Sequence, residues 1–183
     1  TICLVGSEMC IRDRHNIYFG YDGGNILNIL KAKFADWFWN HYFLRKIHNE
    51  CDSIGINYYH HKVFGDKNIH KKTDMGWDIY PEGIYHVLMG VRKYEKPVFV
   101  AEAGIADEAD IYRGQYIKDL IFWMHQALSD GVSLKGYMYW SLTDNFEWGY
   151  GYTKRFGLVG IDYETKERKI RKSAYEFNEV CDE

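Results

Sequence analysis

Apolar residues recur at helical spacing between residues 32 and 49, at Ala35, Phe38, Trp39, Tyr42, Phe43 and Ile47. This spacing predicts an amphipathic helix. Residues 53–59 then form a short, apolar and β-prone run, which is typical of a strand buried inside a parallel sheet. A polar loop extends from there to about residue 80.

Further helices and strands follow in alternation. Pro81 is expected to open a helix, because proline is favoured at the first helical position; its apolar face is Ile84, Val87, Leu88 and Val91. Residues 97–101 predict a second buried strand. A long helix with an apolar face at residues 116–128 comes next, and Asp130-Gly131 supplies its stop signal. Residues 136–141 predict a third strand, and Ser173 is expected to cap a last helix that runs through Val180.

This order of elements is typical of an α/β fold. The links between the units are too short to hold another sheet layer. The periodicity of the apolar residues is compatible with an open doubly wound sheet and with part of an eight-fold barrel, and it does not choose between them. No GxGxxG motif follows any predicted strand, which argues against dinucleotide binding.

Composition narrows the class of protein. The 183 residues are 46% apolar and 27% charged, the balance of one globular unit. Aromatic residues make up 17%, an excess that is common where sugar rings stack. The net charge of -3, without a dense Lys/Arg stripe, argues against nucleic acid as a partner. No apolar stretch reaches the roughly 18 residues of a membrane span, so no membrane partner is expected.

The cysteines and histidines lack metal-site or disulfide patterns. Cys3, Cys10, Cys51 and Cys181 show no CxxC spacing, so a reducing compartment, the cytoplasm, is expected. The eight histidines form no HExxH motif and no Cys-paired pattern. We therefore expect no metal site.

The first fourteen residues look foreign to the rest of the chain. Residues 1–14 have neither the basic start nor the long apolar centre of a signal peptide. Residues 4–14, LVGSEMCIRDR, resemble a sequencing-library adapter read through in frame. The expectation is that residues 1–14 are not native, that the gene is truncated upstream, and that residues 15–183 form part of one domain.

Polar and aromatic residues stand where the predicted strands end. In parallel α/β folds these ends share one rim, where the loops form a cleft. The residues are Asn57, Tyr59, Glu102 and Trp140, followed by Glu147 and Trp148 in the next loop. Aromatic faces stack on sugars and acidic groups accept their hydroxyl protons, so this set favours a carbohydrate site.

Four segments together resemble glycoside hydrolase family 1. They are GINYY (55–59), DMGWDIYPEGIY (74–85), VAEAGIAD (100–107) and YWSLTDNFEWGYGYTKRFGLVGID (139–162). The resemblance runs from about residue 32 to about residue 180. It implies that the chain is the C-terminal part of a (β/α)8 TIM barrel, holding strands six to eight with their helices. It also implies a retaining β-glycosidase that needs no metal or organic cofactor.

The resemblance assigns a role to each candidate residue. Glu102 is similar to the nucleophile that forms a covalent glycosyl-enzyme, Tyr59 to the tyrosine that hydrogen-bonds it, and Asn57 to the amide beside it. Trp140 resembles the platform under the sugar. Glu147 resembles the residue that accepts hydrogen bonds from the outer sugar hydroxyls, Trp148 its indole neighbour, and Tyr152 another aromatic residue near that sugar. The implied substrates are small β-glycosides or oligosaccharides, unphosphorylated because the carboxylate of Glu147 would repel a phosphate.

Packing roles are the alternative interpretation of these residues. By itself, Trp140 would be assigned to the barrel core, and Asn57 and Tyr59 could be satisfied interior hydrogen-bonding groups. Trp37, Trp39 and Trp123 are interpreted as helix packing residues, and Trp77 as an anchor of its loop. The family resemblance further implies a cis Trp140-Ser141 peptide.

The chain also departs from the family pattern. It has Ala101 and Ala103 where the family has threonine and asparagine around the nucleophile, which is expected to reduce activity. The Asn-Glu-Pro segment that bears the acid/base is absent from the sequence. We therefore expect no turnover by this chain alone, and self-association through exposed sheet edges. A non-catalytic sugar-binding relative and an unrelated doubly wound protein are the alternatives.

Overall fold

A parallel sheet lies at the centre of the fold. The computed structural model describes residues 11–12, 15–22, 25–66 and 70–181. The strands of the sheet are β1 (Ile11–Arg12), β2 (His15–Tyr21), β3 (Ser53–Phe64), β4 (Val98–Ala103) and β5 (Leu134–Tyr139). β3 pairs with β1 and β2 on one side and with β4 on the other, and β4 pairs with β5, always in parallel. The predicted α/β class is confirmed.

Helices connect β2 to β3, β3 to β4 and β4 to β5, as parallel pairing requires, and a last helix follows the strands. They are α1 (Ile26–Asp36), a π-helical turn (Trp37–His41), α2 (Leu44–Ile47), α3 (Gly83–Val91), α4 (Arg113–Ser129) and α5 (Lys172–Cys181). Single 3-10 turns occur at His48–Glu50, Arg92–Tyr94 and Trp148–Tyr150. Strands β6 (Val159–Ile161) and β7 (Arg168–Ile170) form a separate antiparallel pair. Within the described residues, no helix is both long and apolar enough to cross a membrane.

The main core lies between the sheet and helices α3 and α4. The strands contribute Ile54, Ile56, Val98 and Val100, and the helices contribute Ile84, Leu88, Val91, Leu120, Met124 and Ala127. Each large apolar side chain buried here stabilises the fold by about 1.5–3 kcal/mol. The core therefore holds β3 and β4 in fixed register, which decides where their carboxyl ends lie.

The first helix differs from its prediction. It begins at Ile26 rather than at residue 32, because the side chain of Asn25 accepts a hydrogen bond from the Leu27 backbone N–H at 3.0 Å and so caps the helix. It is then interrupted by the π-helical turn, which changes the residue spacing on each face. The predicted single amphipathic helix is therefore wrong.

The aromatic face of this segment is exposed rather than packed. Phe38 is 52% exposed, and Trp37 and Trp39 are 38% and 41% exposed, so the packing role expected for these two tryptophans is wrong. Within the described residues, the segment buries Ala32, Asn40, His41 and Leu44 instead. Trp123 does pack against the main core, as expected.

Other differences concern strands and element ends. β2, β6 and β7 were not predicted. β3 continues five residues beyond the expected end, because its last part pairs with β2. Helix α3 begins at Gly83, after a turn at Pro81, and β5 ends at Tyr139. Of the segment expected to be foreign, residues 1–10 and 13–14 lie outside the described residues, whereas residues 11–12 form β1.

Candidate active site

The ends of β3 and β4 bring two predicted site residues side by side. Asn57 on β3 pairs in register with Glu102 on β4. A register shift between Ile56 and Asn57 aligns these two positions. Side chains two residues apart on a strand share a face, so Tyr59 belongs to the same side of the sheet as Asn57. The predicted grouping of Asn57, Tyr59 and Glu102 is therefore present.

Tyr59 and Glu102 are directly hydrogen-bonded. The Tyr59 hydroxyl donates to Oε2 of Glu102 at 2.8 Å. Tyr59 is 9% exposed, and burial raises the pKa of its hydroxyl far above the ordinary value, with further contributions from the Glu102 charge, the hydrogen bond and the Glu147 charge. The phenol therefore remains protonated at neutral pH and acts as a donor to the carboxylate.

An aromatic cluster fixes the position of Tyr59. Buried Tyr59, Ala106 and Phe156 pack with half-buried Met75, Trp77 and Trp140; we call this set the Tyr59 cluster. The Tyr59 ring lies 6.0 Å from Phe156, edge to face, and 5.9 Å from Trp77. Trp77 thus anchors its loop, as predicted, and Trp140 lies in the same cluster as Tyr59, the hydrogen-bond partner of Glu102.

The strand ends of β4 and β5 approach very closely beside this cluster. The backbone N–H of Trp140 donates to the Ala103 carbonyl at 3.0 Å, and the Tyr137 hydroxyl donates to the same oxygen at 3.0 Å. A Cβ at Gly104 would lie 1.8 Å from the Trp140 carbonyl oxygen, so only glycine fits there. The Trp140-Ser141 peptide is cis, which confirms that prediction.

The loop after β5 brings Glu147 to the site and leaves Trp148 outside it. Burial raises the pKa of Glu147, and a hydrogen bond with the Trp140 side chain opposes this. Trp148 is 83% exposed. Tyr152 is 51% exposed and packs against Tyr163, with ring centroids 4.1 Å apart. Glu147, Trp148 and Tyr152 are the three loop residues predicted to contact the sugar. Within the described contacts, Glu147 is the one of them that is hydrogen-bonded to Trp140.

Asn57 has an unmet hydrogen-bonding group. Its side chain is buried, and within the described residues its Oδ1 has no hydrogen-bond partner. Most buried polar groups are satisfied, so an orphaned acceptor needs an explanation. The orphaned oxygen belongs to the residue that pairs in register with Glu102, so the unmet group lies at the candidate site.

Two buried ionic groups hold the loops around the site, and the sequence pattern did not reveal them. Asp144 is 3% exposed and receives both terminal nitrogens of Arg171 at 3.0 Å, together with the Gly157 N–H at 2.9 Å. Arg113 is fully buried; it pairs with Asp110 and donates to the Arg155 carbonyl at 2.9 Å. Neither group has a short-range spacing that distinguishes it from surface charges.

Histidines next to Tyr59 were also missed. The His15 ring stacks on Tyr59 with centroids 5.8 Å apart, and His60 packs edge-on against His15 at 5.3 Å. Burial lowers the pKa of His15 to about 4, with a smaller contribution from the charge of His60. β2, which carries His15, was not predicted, so nothing in the sequence pattern placed this ring at the site.

Known proteins resemble this chain over most of its length. The sequence profile of the family described as Glycosyl hydrolase family 1 matches residues 22–183. Beta-glucosidase A of Acetivibrio thermocellus is 51% identical over 121 residues, covering 60% of this chain and 27% of the relative. Beta-galactosidase of Sulfolobus acidocaldarius is 38% identical over 156 residues, covering 73% of this chain and 32% of the relative.

A solved structure extends the likeness to the fold. Beta-glucosidase from Thermotoga maritima in complex with glucoimidazole superposes with a TM-score of 0.85 at 29% identity, covering 95% of this chain and 51% of that chain. The chain thus spans 27% and 32% of the two curated relatives and 51% of this enzyme. The predicted fold, part of a (β/α)8 barrel, is confirmed. The family match and the shared fold together establish that the chain belongs to glycosyl hydrolase family 1.

Proposed function

We propose that this chain carries the nucleophile half of a retaining β-glycosidase active site, with Glu102 as the nucleophile. The observation that carries the proposal is the 2.8 Å hydrogen bond from Tyr59 to Glu102 at adjacent strand ends. A neutral phenol that donates to a carboxylate favours its ionised form. In the proposed reaction, the ionised carboxylate of Glu102, at the mouth of the parallel sheet, attacks the anomeric carbon of the sugar.

The proposed reaction has two displacements. The Glu102 carboxylate forms a bond to the anomeric carbon while the bond to the aglycone oxygen breaks and that oxygen takes a proton. Water then attacks the same carbon, releases Glu102 and yields the sugar with net retention of configuration. A second carboxyl group about 5–5.5 Å from the nucleophile must give and take the protons.

The proposed sugar contacts follow from what surrounds the hydrogen-bonded pair. Trp140, in the Tyr59 cluster, would stack on the sugar ring, and Glu147, held by Trp140, would accept hydrogen bonds from sugar hydroxyls. Asn57, which pairs in register with Glu102, is assigned to the amide beside the nucleophile. Exposed Trp148 and Tyr152 are assigned to the outer part of the cleft.

Unphosphorylated β-glucosides or β-galactosides are the proposed substrates. Relatives named beta-glucosidase and beta-galactosidase support this class. Burial raises the pKa of Glu147, but even so its charge disfavours a neighbouring phosphate. Small β-fucosides and β-linked oligosaccharides fit the same chemistry, which uses neither metal nor organic cofactor.

We further propose that the 183-residue chain alone does not turn over its substrate. Its sequence contains no Asn-Glu-Pro segment, the family's acid/base motif. Without a proton donor, a poor leaving group stays attached, because general acid catalysis contributes about 10²–10⁴-fold. The chain on its own is expected to accept only sugars whose leaving group needs no proton.

A mechanism-based label tests the nucleophile assignment. A 2-deoxy-2-fluoro-β-glucosyl fluoride loses fluoride without protonation, so the missing acid does not prevent reaction with Glu102. Intact-mass spectrometry should find one sugar per chain, and peptide mapping should place it on Glu102. Glu102→Gln should remain unlabelled, whereas the exposed control Glu164→Gln should be labelled like the parent. An adduct elsewhere, or none, would refute the assignment.

Hydrolysis of phenyl β-glucoside, whose unactivated leaving group needs a proton, tests the proposed lack of turnover separately. The purified chain should release no phenol above background. Clear release that Glu102→Ala abolishes would overturn that proposal while supporting the nucleophile.

A non-catalytic sugar-binding protein is the second candidate. It is favoured by Ala103, which is fully buried in the main core at the position where the family pattern has a polar asparagine. Calorimetric binding of glucose or deoxynojirimycin, together with failure of the fluoro-sugar label, would support the binder over the enzyme.

A further inference from the structure

We propose that His61, Asp66 and His70 form a binding site for a divalent transition-metal ion of the zinc class. Each side chain offers one ligand atom, and these atoms all lie within 4.8 Å of one another. We call this set the His61 group. The sequence pattern did not predict it, because positions 61, 66 and 70 match no common metal-binding motif, and the proposal reverses the expectation of no metal site.

The His61 group has a buried base and an accessible opening. The His61 side chain, on β3, is 1% exposed. Asp66 and His70, in the loop that follows, have side chains 15% and 26% exposed, and Asp66 Oδ2 lies 2.7 Å from His70 Nε2. An ion can therefore enter from the side of Asp66 and His70. Its bonds to these two side chains would replace their hydrogen bond to each other.

The ligand spacing needs only small adjustments: the Asp66–His70 contact of 2.7 Å would lengthen, and wider ligand distances would contract. Zinc bonds of about 2.0–2.2 Å in a tetrahedron place neighbouring ligand atoms about 3.4 Å apart. The observed limit of 4.8 Å lies within modest side-chain shifts of Asp66 and His70 from that spacing. Three protein ligands leave one position for water or an external group, as in open zinc sites.

The surroundings of His61 also favour a cation. Within the described residues, His61 Nδ1 is buried without a hydrogen-bond partner. The Asp78 carboxylate lies 3.9 Å from His61 Nε2 and also pairs with Lys72. Ligating histidines commonly have a carboxylate beside their other ring nitrogen, which fixes the ring and raises its basicity. Asp66 and Asp78 thus place negative charge on two sides of His61.

The donor set decides the class of ion. Two imidazoles with one carboxylate suit zinc, cobalt, nickel or iron, whereas magnesium and calcium prefer all-oxygen sites. The ion would join the end of β3 to the loop that carries Trp77 and Tyr80. Tyr80 packs on the His61 ring at 4.1 Å and Trp77 packs on Tyr59 at 5.9 Å. A bound ion would therefore stiffen one wall of the Tyr59 cluster.

Isothermal titration with zinc chloride tests the site on the full chain, purified without a histidine tag. About one zinc ion per chain is expected, and His70→Gln and Asp66→Asn should each weaken binding by at least about tenfold. Both substitutions lie in the loop rather than the core, so circular dichroism should find the variants folded. The exposed controls His125→Gln and Cys181→Ser should bind like the parent, and magnesium should not compete.

Thermal unfolding supplies a second readout. Zinc at saturation should raise the Tm of the parent and of both controls, and should leave the Tm of His70→Gln and Asp66→Asn nearly unchanged. Cobalt substitution should give visible absorption bands that disappear in the same two variants. The proposal is overturned if the parent binds no zinc, or if the loop variants bind it as tightly as the parent.

Discussion

Acidification should destabilise this chain through His15, and the substitution His15→Gln should remove that part of the effect. Burial, together with the charge of His60, lowers the pKa of His15 from 6.5 to about 4. The unfolded chain therefore binds a proton more readily than the folded chain between these two values. The stability that His15 contributes is complete above about pH 6.5 and is lost as the pH falls towards 4.

The size of the effect follows from the pKa difference. A gap of about 2.5 pKa units corresponds to about 3.4 kcal/mol over the whole range. Between pH 7 and pH 5 the linkage relation yields about 2 kcal/mol of this. The imidazole keeps some contact with solvent, which weakens the penalty, so a loss of about 1–2 kcal/mol is expected.

Urea unfolding followed by tryptophan fluorescence at about pH 7, 6 and 5 measures this loss. The parent should lose about 1–2 kcal/mol more than His15→Gln over this range. Burial also lowers the pKa values of His61 and His86, but these residues are present in both proteins and their contributions cancel. His125→Gln, on the exposed side of α4, is the matched control. Equal pH slopes for the parent and His15→Gln would refute the reasoning.

Three further outcomes are expected. Arg113→Met should lower the free energy of unfolding by about 3–5 kcal/mol in urea titrations, because it removes the guanidinium from the half-buried Asp110 carboxylate and leaves the Asp107 and Arg155 carbonyls without that donor. Gly104→Ala should abolish fluoro-sugar labelling and lower the Tm, because its Cβ would meet a backbone carbonyl oxygen at 1.8 Å; Gly149→Ala, with open space around it, should do neither. Phe38→Glu should reduce self-association in sedimentation velocity by more than Phe122→Glu, because Phe38 belongs to the exposed aromatic face near β2.

Much of the architecture was readable from local patterns. The sequence pattern predicts strands at residues 53–59, 97–101 and 136–141, and the structure has β3, β4 and β5 there with small shifts at the ends. These runs are short, apolar and bounded by turn residues, so the hydrophobic pattern and the turn signals predict the same strands. The strand-end residues Asn57, Tyr59 and Glu102 follow from the same logic, because parallel strands present their carboxyl ends together.

The missed features depend on contacts that are distant in sequence. β2 was not predicted because its residues gain a strand conformation by pairing with the end of β3. The aromatic face of α1 and the π-helical turn looked like a buried face, but within the described residues nothing covers it. The Asp144 and Arg113 networks join residues from separate loops, and no periodicity encodes such pairings.

The bond between Arg171 and Asp144 has a practical consequence for recombination. Arg171 precedes α5 and holds both oxygens of Asp144, in the loop that carries Trp140 and Glu147. Ser173 is likewise bonded to Asp110, after β4. Chimaeras between barrel relatives should therefore inherit residues 110–173 from a single parent, because a crossover inside that block would separate Asp110 from Ser173 or Asp144 from Arg171.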